Sequence, residues 1–152
     1  GAFEEAQKLL PNMPPANTRE MVGVSDPMGG LLAIKSRVVL KRNPTVAVAL
    51  ARQVVDRPVA ILPWAGTRHL LDAAYTLVNA SDERAEEVVR KIIERVSDSR
   101  FRLLKMEAGL LAESLGIERE AADEAHKILN ALDHELGSPE GFKSRWLDPM
   151  SS

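Results

Sequence analysis

Residues 85–96, "AEEVVRKIIERV", place Ala85, Val88, Val89, Ile92, Ile93 and Val96 at intervals of three and four. At 100° per residue these six share one side of a helix and the charges between them take the other, a pattern no strand reproduces. The neighbouring stretches repeat it. Leu70, Leu71, Ala74, Leu77 and Val78 predict a helix from about Thr67, its cap, to about Ala80. Ser81 is the expected cap of the helix that carries the 85–96 stripe. Leu104, Ala108, Leu111 and Leu115 align in a helix from about Ser99 that stops at Gly116. Ala121, Ala125, Ile128, Leu129, Leu132 and Leu136 align in one from about Glu118 that stops at Gly137. No alternating strand pattern or hairpin turn competes. Aromatics make up only 4% of the chain, and Ala, Leu and Val dominate, which favours helix packing over a β-sandwich. The chain reads as all-α.

Upstream, two start signals follow one another. Asp26-Pro27 and Asn43-Pro44 each join a capping side chain to a proline at the first helical position. They predict helices to about Arg42 and to about Arg57, the second ended by Pro58. Before them, "FEEAQKLL" reads as a short helix and the proline-rich residues to Asp26 as an extended arm. The expected organisation is an N-terminal arm (1–26), a basic helix-turn-helix (27–58), a four-helix bundle (59–137) and a C-terminal tail (138–152). At 152 residues, one domain has enough chain to bury a real core.

Several kinds of chemistry find no support. The absence of cysteine excludes a disulfide scaffold, a zinc-thiolate site and a cysteine nucleophile. No apolar run reaches the length of a membrane span, and no signal peptide is visible. Asp123-x-x-His126 resembles half of a carboxylate–histidine metal pair, but the matching position before His134 is Ala131. With His69 these are all the histidines, and they read as surface or capping residues. Met28-Gly29-Gly30 lacks the Gly-Lys-Ser/Thr of a phosphate loop. No nucleophile, base and orienting group can be assembled, so the expectation is a protein without catalytic activity, metal, cofactor or small-molecule substrate. A bundle enzyme using His126 stands third among the readings.

The charge distribution points elsewhere. The chain's net charge is −2, yet residues 27–57 hold Lys35, Arg37, Lys41, Arg42, Arg52 and Arg57 against Asp56 alone. Lys35 and Arg42 align on one side of the first helix, and Arg37 and Lys41 on nearly the opposite side. Leu31, Leu32, Ile34, Val38, Val39 and Leu40 occupy much of the circumference between them. One account is that the cations decorate two ordinary bundle helices, their stems covering apolar surface. The other is an element held between protein on some sides and a polyanion on another. The helix start at Asn43 and Thr45, beside Lys41 and Arg42, adds a candidate phosphate site, although Asn43 can also simply cap. The hairpin further offers Ser36, Thr45 and Gln53 but no aromatic to stack on bases. Nucleic-acid binding would therefore be sequence-blind contact to duplex phosphates.

Two strings carry a resemblance. "NPTVA" (Asn43 to Ala47), opening a helix after a basic segment, and "LGSPEGF" (Leu136 to Phe142), closing the last helix, are similar to strings in the major coat proteins of filamentous archaeal viruses. They stand in the same order and at comparable separation in rudivirus coat proteins, whose fold is shared by the lipothrixvirus and tristromavirus ones. The resemblance implies a virion protein, assembled in the host cytoplasm into a helical nucleocapsid around linear double-stranded DNA held in A-form. It implies that Lys35, Arg37, Lys41, Arg42, Arg52 and Arg57 face the DNA and that the bundle forms the outer shell. Rudivirus coat proteins begin with a strongly basic arm, whereas this chain begins "GAFEEAQ" and carries a longer tail, "KSRWLDPMSS". Those departures fit one of two paralogous subunits in an enveloped filament, with Trp146 and Met150 meeting a membrane, a neighbouring subunit or their own bundle. The alternative function is a cellular all-α adaptor or small subunit of a nucleoprotein complex.

Overall fold

Both proline-marked signals open helices. In the computed structural model, which describes residues 26–57, 63–98 and 100–136, α1 spans Pro27–Val39 and α2 spans Pro44–Val55. They are followed by α3 (Pro63–Asn79), α4 (Ala85–Val96), α5 (Arg102–Leu115) and α6 (Arg119–Leu136). The chain is all-α, with no strand among the described residues. Residues 1–25 of the expected N-terminal arm, the stop at Gly137 and the C-terminal tail lie outside the described residues.

The caps explain where the helices depart from the expected bounds. The Asp26 carboxylate accepts the Gly29 N–H at 3.0 Å, and the Asn43 side chain accepts the Val46 N–H at 3.1 Å. Pro44 disfavours helical backbone at Asn43, which sits at φ −147° and ψ 82°. α1 therefore ends at Val39, short of Arg42, and the Val39 carbonyl accepts the N–H groups of Arg42 and Asn43 at 3.0 and 2.8 Å. α3 begins at Pro63, which leaves Thr67 buried inside the helix rather than capping it.

Ser81 closes α3 instead of opening α4. Its backbone is left-handed, φ 53°; its N–H donates to Val78 and that of Asp82 to Leu77, at 3.0 and 2.9 Å. α4 consequently starts at Ala85, where the Asp82 carboxylate accepts the Arg84 N–H at 3.1 Å. Gly116, at φ 67°, ends α5 with the same pair of bonds, to Glu113 and Ala112, at the expected place.

α3 is the centre of the packing. It touches α1 and α2 on one side and α4 and α5 on the other, while α6 packs chiefly on α5. The main core gathers Leu71, Leu77, Val88, Val89 and Ile92, all essentially inaccessible. A smaller one joins Met106 and Leu110 to Ala125, Ile128 and Leu129. Gly109 sets that second contact: a Cβ there would stand 2.3 Å from the Ala121 carbonyl oxygen and 2.6 Å from the Ala125 Cβ. The missing side chain lets α6 approach α5 closely.

Candidate nucleic-acid interface

α1 is apolar on two opposite faces. Leu32, Ala33, Ser36 and Val39 are buried against the body of the protein. On the far side Leu31, Ile34 and Val38 are 45, 58 and 46% exposed, in line with Lys35 and with Arg42 just beyond the helix. α2 continues that outer surface with Val46, 42% exposed, and with exposed Ala49 and Gln53. Phe101 and Leu103, ahead of and within the first turn of α5, form a second exposed apolar spot.

The six cations of the hairpin differ in where they lie. Arg37, Arg52 and Arg57 are bonded to carboxylates of their own chain. Arg37 donates to Asp72 at 2.6 Å and lies 4.3 Å above the Tyr75 ring. Arg52 donates to Asp82 at 2.8 Å and to Glu83 at 3.0 Å. Arg57 grips Asp26 with two bonds, at 2.7 and 2.9 Å, tying the end of α2 to the start of α1. Lys35 is half-buried on the outer side of α1, and Lys41 and Arg42 are exposed in the turn between the helices. Thr45 is exposed beside them. Asn43 spends its side-chain oxygen on the cap, so the helix start offers fewer amides to an anion than the bare sequence suggests. Ser36 faces inward: its hydroxyl meets that of Thr76 at 2.9 Å and donates to the Ala33 carbonyl at 2.7 Å.

Arg37 belongs to a longer network. Arg68 donates to Asp72 at 2.9 Å and to both Glu107 oxygens at 2.6 and 2.7 Å, linking α1, α3 and α5. Burial opposes the charge on Asp72, but the Arg68 and Arg37 guanidiniums outweigh it and hold the carboxyl below its usual range. Burial wins at Glu107, whose carboxyl is pushed up despite Arg68. Asp26 behaves like Asp72: burial is overcome by Arg57 and by the Gly29 amide, and its pKa falls.

The acidic partners were missed in the sequence because acids on helices usually form a solvated face. Asp72 nevertheless carried a signal. It is the one charge within "LLDAAYTLV", and a charge inside an apolar stretch requires a partner. Metal chemistry finds no set of ligands: no group of three His, Cys, Asp or Glu residues is placed to hold an ion among the described residues. His126 meets Glu113 at 2.9 Å instead, pinning α6 to α5. No described helix is long and apolar enough to cross a membrane. Compared with known proteins, the chain matches no protein-family model, no curated protein and no solved structure.

Proposed function

We propose that this chain is a structural subunit of a helical nucleocapsid, which encloses linear double-stranded DNA by sequence-independent phosphate contacts. In this reading α1 and α2 are the DNA-wrapping helix-turn-helix, and α3 to α6 form the four-helix outer bundle. The observation that carries it is the second apolar face of α1, where Leu31, Ile34 and Val38 stand open beside Lys35 and Arg42. Three sizeable aliphatic side chains in a row at an exposed helix surface suit a contact with another molecule, and cations among them suit one that includes a polyanion.

The phosphate ligands in this reading are Lys35, Lys41 and Arg42, with Thr45 at the turn, because they lie along or beside the outer face of α1. Arg37 and Arg52 position the hairpin on the body through Asp72 and Asp82, and Arg57 ties its two helices together through Asp26. Sister subunits cover the aliphatic side chains around the duplex, and Phe101 and Leu103 supply a second contact between subunits. Excluding water from the enclosed DNA favours its A-form.

Duplex titrations across salt concentrations test this. Neutralising Lys41 and Arg42 together weakens binding alike on unrelated sequences and lowers the salt slope by about two. Arg52→Gln leaves that slope unchanged. A slope unaffected by the first pair counts against the interface. Discrete particles, rather than filaments of uniform width, on mixing with linear duplex would favour an adaptor of a nucleoprotein complex.

A further inference from the structure

Gly29 and Gly30 stand in the first turn of α1, where glycine disfavours a helix. The reason is His69 of α3. A Cβ on Gly30 would lie 2.9 Å from the imidazole Nε2, and one on Gly29 would lie 3.3 Å from Nδ1 and 2.4 Å from an Asp26 oxygen. The bare backbone lets the ring lie against the start of α1. There it borders a small cavity of about 30 Å³ between α1, the end of α2, α3 and α4. The polar lining is Asp26, Arg57, His69, Lys91 and Arg95, and Val54, Val55 and Leu70 line the rest.

We infer that this cavity is a binding site for a phosphate group. Three permanent cations face one carboxylate, and Asp26 is already committed to Arg57 and to the α1 cap. Lys91 and Arg95 lie one turn apart on α4 with no carboxylate of the described residues in direct ion-pair contact, Lys91 acting on Asp56 only at longer range. Their surplus of two positive charges matches a phosphate dianion. A guanidinium such as that of Arg95 carries paired donors that fit phosphate oxygens, and His69 adds a ring nitrogen to the same lining. The helix amides are not the binding element, since Asp26 already occupies that of Gly29.

The ligand is either free inorganic phosphate or a backbone phosphate of a duplex; only the second source rests on the nucleocapsid reading. The cavity adjoins the buried side of α1, away from the Leu31–Ile34–Val38 face, so the two sites can be altered separately.

The experiment is a titration of the full chain with inorganic phosphate at constant ionic strength, following the ring protons of His69 by NMR. Assignment uses His69→Gln. A saturable shift that matched chloride does not produce is expected. Arg95→Gln weakens it about ten- to a hundredfold, as for loss of a hydrogen bond to a charged group. Lys91→Gln, at an exposed position, weakens it in the same direction, and Gly30→Ala does so by displacing the imidazole. Lys35→Gln leaves it unchanged. Absence of a saturable His69 shift overturns the site, as does wild-type affinity in both Arg95→Gln and Lys91→Gln. If Arg95→Gln also lowers the salt slope of duplex binding by about one, the occupant is a backbone phosphate; an unchanged slope assigns free phosphate. Intact phosphate binding in a chain that ignores duplex sinks the nucleocapsid reading and leaves this site standing.

Discussion

α1 and α4 have similar lengths and opposite characters. α4 buries Val88, Val89, Ile92 and Val96 on one side and turns Glu86, Glu87, Arg90 and Glu94 to water on the other. α1 buries Leu32, Ala33 and Val39 on one side and shows Leu31, Ile34 and Val38 on the other. A helix of the first kind is finished once it has docked on its own core. A helix of the second kind has a face left over. The difference separates residues that stabilise the monomer from residues available to an assembly, although both sets are aliphatic.

That contrast breaks most readily on a pair of truncations. Ile92→Ala removes a fully buried side chain and is expected to destabilise the monomer by about 3 kcal/mol in denaturant titration. Ile34→Ala removes one that is 58% exposed, with an expected change within about 0.5 kcal/mol. Comparable losses would show that the outer face of α1 is covered by the chain itself.

Asp72→Asn probes the joint between hairpin and body. It is expected to lower stability at pH 7 by about 1–2 kcal/mol. The figure is set below the cost of breaking a fully buried pair because Arg37 and Arg68 still face water in part. Because the folded chain holds the Asp72 carboxyl below its ordinary value, its contribution is present above that value and fades as pH falls through the folded one. The gap between wild type and Asp72→Asn should therefore narrow on acidification below about pH 4. Urea titrations at stepped pH read this directly, and a gap that widens in acid contradicts the pairing. Glu107 works in the reverse sense, since its raised pKa favours the protonated form in the fold.

The smallest effect is a gain. Ser81 holds a left-handed backbone at the end of α3, the conformation that Gly116 adopts at the end of α5. Ser81→Gly removes the Cβ clash and should raise stability by up to about 1 kcal/mol, seen as a higher Tm. An unchanged or lower Tm would mean that the serine side chain contributes more than its strain.

Much of the body was legible in the sequence. The spacing of Ala85 to Val96 and the glycine at 116 identify a helix and a stop because period and backbone freedom are local properties. Ser81 misled for the same reason: a good capping residue also tolerates a turn, and the pairing of Leu77 with Asp82 decided its role. The hairpin was harder. Its six cations look alike in sequence, yet Arg37, Arg52 and Arg57 meet Asp72, Asp82 and Asp26 some thirty residues away. Which carboxylate each of these arginines meets depends on how α1 and α2 lie on each other and on α3 and α4, and no local pattern encodes that. Glycines 29 and 30 are poor helix formers by themselves, and only the fold brings His69 against them.

The central claim is that the outer face of α1 is covered when the protein meets duplex DNA. The chain has no cysteine, so Ile34→Cys introduces a unique thiol at the middle of that face. Its labelling rate with a small thiol reagent should fall at least about tenfold on adding saturating linear duplex. Equal rates with and without duplex would contradict the account.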